Sequence, residues 1–150
     1  KIIEVSKADL SQKVDGRPLA DALMEPTRIY VKQILKLGAQ VKIKAMAHIT
    51  GGGITENLPR VLPPHYRALI DTKAWRRPEV FSWLQEAGGV DAREMFRTFN
   101  CGIGMCVVVA KEDAERARAL LEAEGESVSV IGRIEPGDLE EAYVELTGIA

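Results

Sequence analysis

In AHITGGGITENLPRVLPP, residues Ala47 to Pro64, three consecutive glycines separate a segment that alternates like a strand from one spaced like a helix. Gly51, Gly52 and Gly53 bring no side chains to pack and lose more backbone entropy on folding than any other tripeptide. Two situations offset that cost: the chain turns there through angles that only glycine tolerates, or a ligand approaches the main chain closely. Upstream, VKIKAMAHI (41–49) sets Val41, Ile43, Ala45, Ala47 and Ile49 against Lys42, Lys44, Met46 and His48, the period-two pattern of a strand. Downstream, ITENLPRVL (54–62) reads as a short helix that Pro59 kinks or ends. The stretch is a strand–turn–helix unit.

The same alternation continues outward in both directions. Asp15-Gly16 reads as a turn, and RPLADAL (17–23) as a short helix with Pro18 in its first turn. EPTRIYVKQILKLG (25–38) is helical, with Pro26 in the first turn, Tyr30, Ile34 and Leu37 on one face and Gly38 at the stop. YRALID (66–71) is a strand. PEVFSWLQEAGG (78–89) is a helix opened by proline and closed by paired glycines, with Val80, Phe81 and Leu84 on one side. DAREMF (91–96) is helical or irregular. IGMCVVVA (103–110) is a nearly continuous apolar run, typical of a strand buried on both faces. EDAERARALLEAEG (112–125) is a helix turning Ala114, Ala117 and Leu121 inward. ESVSVIGRIEP (126–136) is a strand alternating Val128 and Val130 with serines, and AYVEL (142–146) a short edge strand. This order predicts one domain of the α/β (α+β) class, helices packed on a sheet, without internal repeats.

Composition excludes several function classes. The chain has 150 residues, 46% apolar and 28% charged, enough to bury a core and too apolar for wholesale disorder. Twenty basic residues face 22 acidic ones and no basic run occurs, so the footprint of a nucleic-acid-binding protein is missing. No apolar segment approaches the ~20 residues that span a bilayer, and KIIEVSKADL at the start is not a signal peptide, so no membrane partner is expected. Cys101 and Cys106, with His48 and His65, do not make a zinc site. They read as reduced thiols of a cytoplasmic protein, and no metal ligand set is expected.

The candidate chemistry lies in two glycine-containing stretches. A glycine-rich approach to a helix N-terminus presents free N–H groups and makes an anion cradle. The pattern is neither a Walker A sequence nor GxGxxG, and a tight turn without a ligand is the alternative. Thr50 adds a hydroxyl and Asn57 an amide. His48, on the polar face and at the C-terminal end of its strand, is either structural or a functional group. FRTFNCGIGM (96–105) is a bulge or tight loop, or else a second polar loop offering Arg97, Thr98 and Asn100 to the same cleft. Trp75 and Trp83 read as packing groups, and the charges of 111–124 as a solvated face.

EPTRIYVK, AHITGGGITENLPRVLPP, PEVFSWLQEAGGV and FRTFNCGIGM, in this order and spacing, resemble the C-terminal half of the aminoimidazole ribonucleotide synthetases, the phosphoribosylformylglycinamidine cyclo-ligases of purine biosynthesis. The resemblance runs from about Lys1 to about Glu145. It implies a three-layer α/β/α arrangement with a mixed sheet, partly like a ferredoxin fold. It further implies the conversion of formylglycinamidine ribonucleotide and ATP to aminoimidazole ribonucleotide, ADP and phosphate, with Mg²⁺. ATP activates the formyl oxygen as a phosphate leaving group and the amidine-derived nitrogen closes the ring. The resemblance places the ATP and Mg²⁺ ligands and most contacts of a homodimer in an N-terminal half that would precede Lys1, so this chain by itself is expected to bind neither and to be inactive. Matched residue by residue, Thr50, Gly51, Gly52 and Gly53 fall on the family's loop at the domain cleft and would hold a substrate phosphate, with His48 near the reacting groups. Asn57, Arg97, Thr98 and Asn100 match as further substrate contacts. Arg28 is an anion contact or an ion-pair member.

Overall fold

A computed structural model describes residues 1–149. From the N-terminus come α1 (Ile2–Ser6), the strands β1 (Lys13–Val14) and β2 (Arg17–Pro18), α2 (Leu19–Leu23) and α3 (Val31–Gly38). The opening stretch supplies β3 (Ala45–His48), α4 (Gly53–Asn57) and a 3₁₀ turn, Pro59–Val61. There follow β4 (Tyr66–Asp71), α5 (Glu79–Gly88), α6 (Ala92–Thr98), β5 (Met105–Val108), α7 (Ala114–Ala123), β6 (Gly132–Pro136) and β7 (Tyr143–Thr147). The class is mixed α/β, as the alternation predicts.

The strands fall into three small sheets. β1 and β2 form a hairpin around Asp15-Gly16, both with positive φ (51° and 76°). β3 pairs antiparallel with β5, Ala47 opposite Cys106 and His48 opposite Met105. The third sheet is mixed: β4 lies between antiparallel β6 and parallel β7. Pairing β4 with β7 in parallel brings residues 66–71 and 143–147 together across α5, α6, β5, α7 and β6, a non-local contact that no window of sequence reveals.

Ala47, Ile49 and Cys106 face the main core, with Ile54, Leu58, Ala68, Ile70, Leu84, Met95, Phe96 and Cys101. Val107 and Val109 face the other way, onto Leu37 of α3 and Ala117 of α7. Helices α3 and α7 thus cover part of the second face of the β3–β5 pair, where Met46 and His48 stay exposed. The outer face of the β4 sheet instead carries ion pairs, Arg67 with Glu135 and Glu145.

Several boundaries differ from expectation. The helix expected from Pro26 begins at Val31, because Arg28 is drawn to Glu126 (3.0 Å) and Tyr30 packs edge-on against His48, leaving residues 25–30 non-helical. Arg17 and Pro18 belong to a strand, so that helix starts at Leu19. The strand over 41–49 shortens to four residues although its alternation persists: Val41, Ala47 and Ile49 are buried, Lys42, Lys44, Met46 and His48 exposed. IGMCVVVA is a strand only over 105–108, with Cys106 its one buried residue. The strand expected over 126–136 forms only from Gly132; residues 126–130 join no ladder and Val130 is exposed.

Candidate functional site

The triple glycine is a clamped turn whose geometry follows from one buried side chain. Asn57, 9% exposed, donates its amide to the carbonyls of Gly53 (2.7 Å), Gly51 (3.1 Å) and Thr50 (3.5 Å). Every described peptide bond is trans, so each carbonyl points opposite to the N–H in the same peptide plane. Drawing three carbonyls inward turns the N–H groups of Gly51, Gly52 and Ile54 away from Asn57. Asn57 therefore organises the turn; its amide is spent on the main chain.

The three glycines have different reasons to be glycine. Gly53 has φ +55°, and a Cβ there would collide with the Phe96 carbonyl and lie 2.8 Å from that of Phe99. It permits α4 to sit on α6. Gly52 has φ +98°, and its Cβ would meet Glu56 Oε2 at 2.9 Å. Gly51 is different: it lacks a positive φ, and a Cβ would meet nothing within 4 Å. Packing and dihedral angle account for Gly52 and Gly53 and leave Gly51 unexplained.

His48 and Thr50 are exposed on either side of buried Ile49, so the strand's alternation turns both side chains out of the core. Tyr30 meets the His48 ring edge-on, centroids 6.0 Å apart and planes at 69°. Nothing in the sequence signals this contact, since Tyr30 arrives from a different element.

The second loop is a tight turn. Cys101 (φ 48°) and Gly102 (φ 99°) occupy its two central positions, Ile103 N–H donates to Asn100 O (2.9 Å), and Asn100 Oδ1 accepts from Gly102 N–H (3.0 Å). Two positive φ values at the centre define a type I′ turn. Trp75 Nε1 donates to Cys101 O (3.0 Å) and its ring packs on Phe96, the structural role expected of it. Asn100 is thus occupied locally. Thr98 donates to Glu94 (3.0 Å), and Arg97 pairs with Glu94 (2.8 Å) and with Glu56 of α4 (3.8 Å). Arg97 and Thr98 lie in the last turn of α6 and not in the loop expected to carry them, and of the three candidates Arg97 forms an ion pair with α4. No sequence motif singles out the Glu56 carboxylate, which lies beside Gly52. An open groove of roughly 860 Å³, lined by Thr55, Arg93, Arg97 and Glu145 among others, runs between α6 and β7.

Burial pushes the Cys101 thiol up to about 11, against the opposing charge of Arg77, and the Cys106 thiol up to about 12. Both stay protonated at neutral pH and are poor nucleophiles. Among the described residues no group of three or more His, Cys, Asp or Glu side chains is placed to hold a metal ion. No described helix is long and apolar enough to cross a membrane.

Fold and site together define a mixed α/β domain carrying a glycine turn, its Gly51 and Gly52 N–H groups facing away from Asn57, shortly after an exposed histidine. Over residues 1–145 the chain matches the family described as AIR synthase related protein, C-terminal domain, and it belongs to that family.

Proposed function

We propose that this chain is the substrate-side domain of an ATP-dependent phosphoribosylformylglycinamidine cyclo-ligase, and that its triple-glycine turn holds the phosphate of formylglycinamidine ribonucleotide. The observation that carries the phosphate reading is Gly51, a glycine with neither a steric nor a dihedral reason to be one. The peptide N–H groups of Gly51 and Gly52, directed away from the Asn57 clamp, supply donors of the kind that bind phosphate oxygens. The specific reaction rests on the four sequence motifs in register.

On this reading the chain's own work is binding and orientation. The turn fixes the phosphate end, Thr50 offers a hydroxyl at its edge, and His48 lies at the strand end near the reacting groups. Asn57 holds the turn's shape. Arg97 offsets the Glu56 carboxylate, which would otherwise repel an anion from Gly52. ATP enters as a substrate held by a preceding half, the partner this domain requires, and the intact enzyme is a homodimer in the cytoplasm. Among the described residues no cluster of His, Cys, Asp or Glu side chains composes a Mg²⁺ site.

Isothermal titration with ribose 5-phosphate tests the phosphate reading. Gly51→Ala is expected to weaken binding at least tenfold with the fold intact; equal affinity for variant and wild type refutes it. The reaction is tested by assaying the intact two-part enzyme with formylglycinamidine ribonucleotide and ATP. Turnover of a different substrate of the same superfamily, such as thiamine monophosphate, and not of this one, would reassign it. In the same assay His48→Ala with unchanged turnover would remove His48 from the chemistry.

A further inference from the structure

Gly104 is a second glycine whose backbone does not demand one: its φ lies outside the left-handed region. Its reason is a neighbour. A Cβ at Gly104 would collide with the Tyr30 hydroxyl oxygen and lie 3.0 Å from Tyr30 Cζ, so the phenol is seated directly on this residue. The Gly104 carbonyl accepts from Ile49 N–H at 2.9 Å. Ile49 is flanked by His48 and Thr50, which places the Tyr30 hydroxyl at the junction between β3 and the glycine turn.

Tyr30 is fixed there from both sides along its own chain. Arg28 and Gln33 each bond Glu126 Oε1 at 3.0 Å, bridging residues nearly a hundred positions apart. Its ring meets His48 edge-on. Among the described residues no hydrogen bond engages the Tyr30 hydroxyl, although the ring beneath it is half-buried. Burial pushes this hydroxyl above its ordinary value, Glu126 adding to the effect and Arg28 opposing it, so it remains an O–H donor at neutral pH. A half-buried donor without a protein partner, set against an exposed histidine near a turn whose Gly51 and Gly52 N–H groups face away from Asn57, is suited to a ligand.

We propose that Tyr30 is a ligand-binding residue of this site, donating its phenolic O–H to an oxygen of the phosphate ester held by the Gly51 turn, with Gly104 as the gap that admits it. The proposal rests on the phosphate reading above. A hydrogen bond to a charged phosphate oxygen is worth about ten- to a hundredfold in affinity.

The experiment is titration of the wild-type protein, Tyr30→Phe, Gly104→Ala and Gly51→Ala with ribose 5-phosphate, alongside NMR shifts of the His48 ring protons. Tyr30→Phe keeps the aromatic ring, so His48 shifts are expected to hold while affinity falls about ten- to a hundredfold. Gly104→Ala displaces the ring and is expected to move the His48 shifts and to weaken binding at least as much. Wild-type binding that depends on Gly51 yet is unchanged in Tyr30→Phe overturns the proposal and spares the phosphate reading. Wild-type protein that does not bind ribose 5-phosphate overturns both.

Discussion

Asn57 and Gly51 meet across the same peptide planes, and the two show how a side chain and its absence divide one task. The amide of Asn57 organises three carbonyls; the missing Cβ of Gly51 leaves the opposite face clear. Adjacent glycines therefore differ in what substitution does. Gly53→Ala forces a side chain into the Phe96 carbonyl at a left-handed backbone angle, and is expected to destabilise by about 2–4 kcal/mol in urea denaturation. Gly51→Ala should leave stability within about 0.5 kcal/mol, or raise it slightly by stiffening the unfolded chain. The same measurement on both variants separates architecture from binding. The two cysteines add a pH prediction. Their folded-state values, about 11 and about 12, lie above the ordinary thiol value of 9.0, so between those limits the unfolded chain binds fewer protons than the folded one. Stability contributed by the buried thiols is complete below pH 9 and is lost as pH rises through 11 to 12. Alkylation by iodoacetamide at pH 8 should be negligible until denaturant unfolds the protein; rapid labelling of the native state would show that the thiols are not buried.

At the scale of elements, ends are decided by distant residues as often as by local ones. α6 begins where its own sequence provides, with Asp91 accepting from Arg93 N–H (2.8 Å) and Glu94 N–H (3.4 Å) as an N-cap. α5 begins under Asp15, which reaches across the chain: Asp15 Oδ2 accepts from Glu79 N–H and Glu79 Oε2 accepts from Asp15 N–H, each at 2.8 Å. This reciprocal pair does the work of a capping box between residues 64 apart. Asp15→Ala should cost about 1–2 kcal/mol by thermal or urea unfolding, and Asp15→Asn, which keeps an acceptor and tolerates the positive φ of 51°, distinctly less. Equal losses in both would assign the effect to charge and not to the cap. Periodicity located α5, α7, β4 and β7 because each packs one face. It overextended the helix at Pro26 and the strand at Glu126, where Arg28 and Gln33, both bonded to Glu126, tie the chain into a different course.

The whole molecule is held on its polar side by dispersed ion pairs. Arg97 holds the Glu94 carboxyl below the usual range with help from Thr98; Lys36 does the same for Glu124, and Arg133 with Arg67 for Glu135. These carboxylates bind protons less readily folded than unfolded, so their stabilisation is present above the ordinary value of 4.5 and fades as pH falls through the lower folded values. The urea midpoint should be flat from pH 7 to 5 and decline below about 4.5, more weakly in half-molar salt, because exposed pairs are screened. A midpoint that rises on acidification would contradict the assignment. By itself the sequence determined the mixed α/β class, the alternation that buries Ala47 and Ile49 while exposing His48, the turn at the three glycines, and the motifs by which the family is met. These are local properties: spacing and backbone freedom act within a few residues. Tertiary structure decided the parallel pairing of β4 with β7, the separation into small sheets, the spending of Asn57 on the turn's carbonyls, and the seating of Tyr30 on Gly104 beside His48. Each depends on contacts between residues remote in the chain, whose geometry is set only when the core closes and which therefore leave no periodic mark in the sequence.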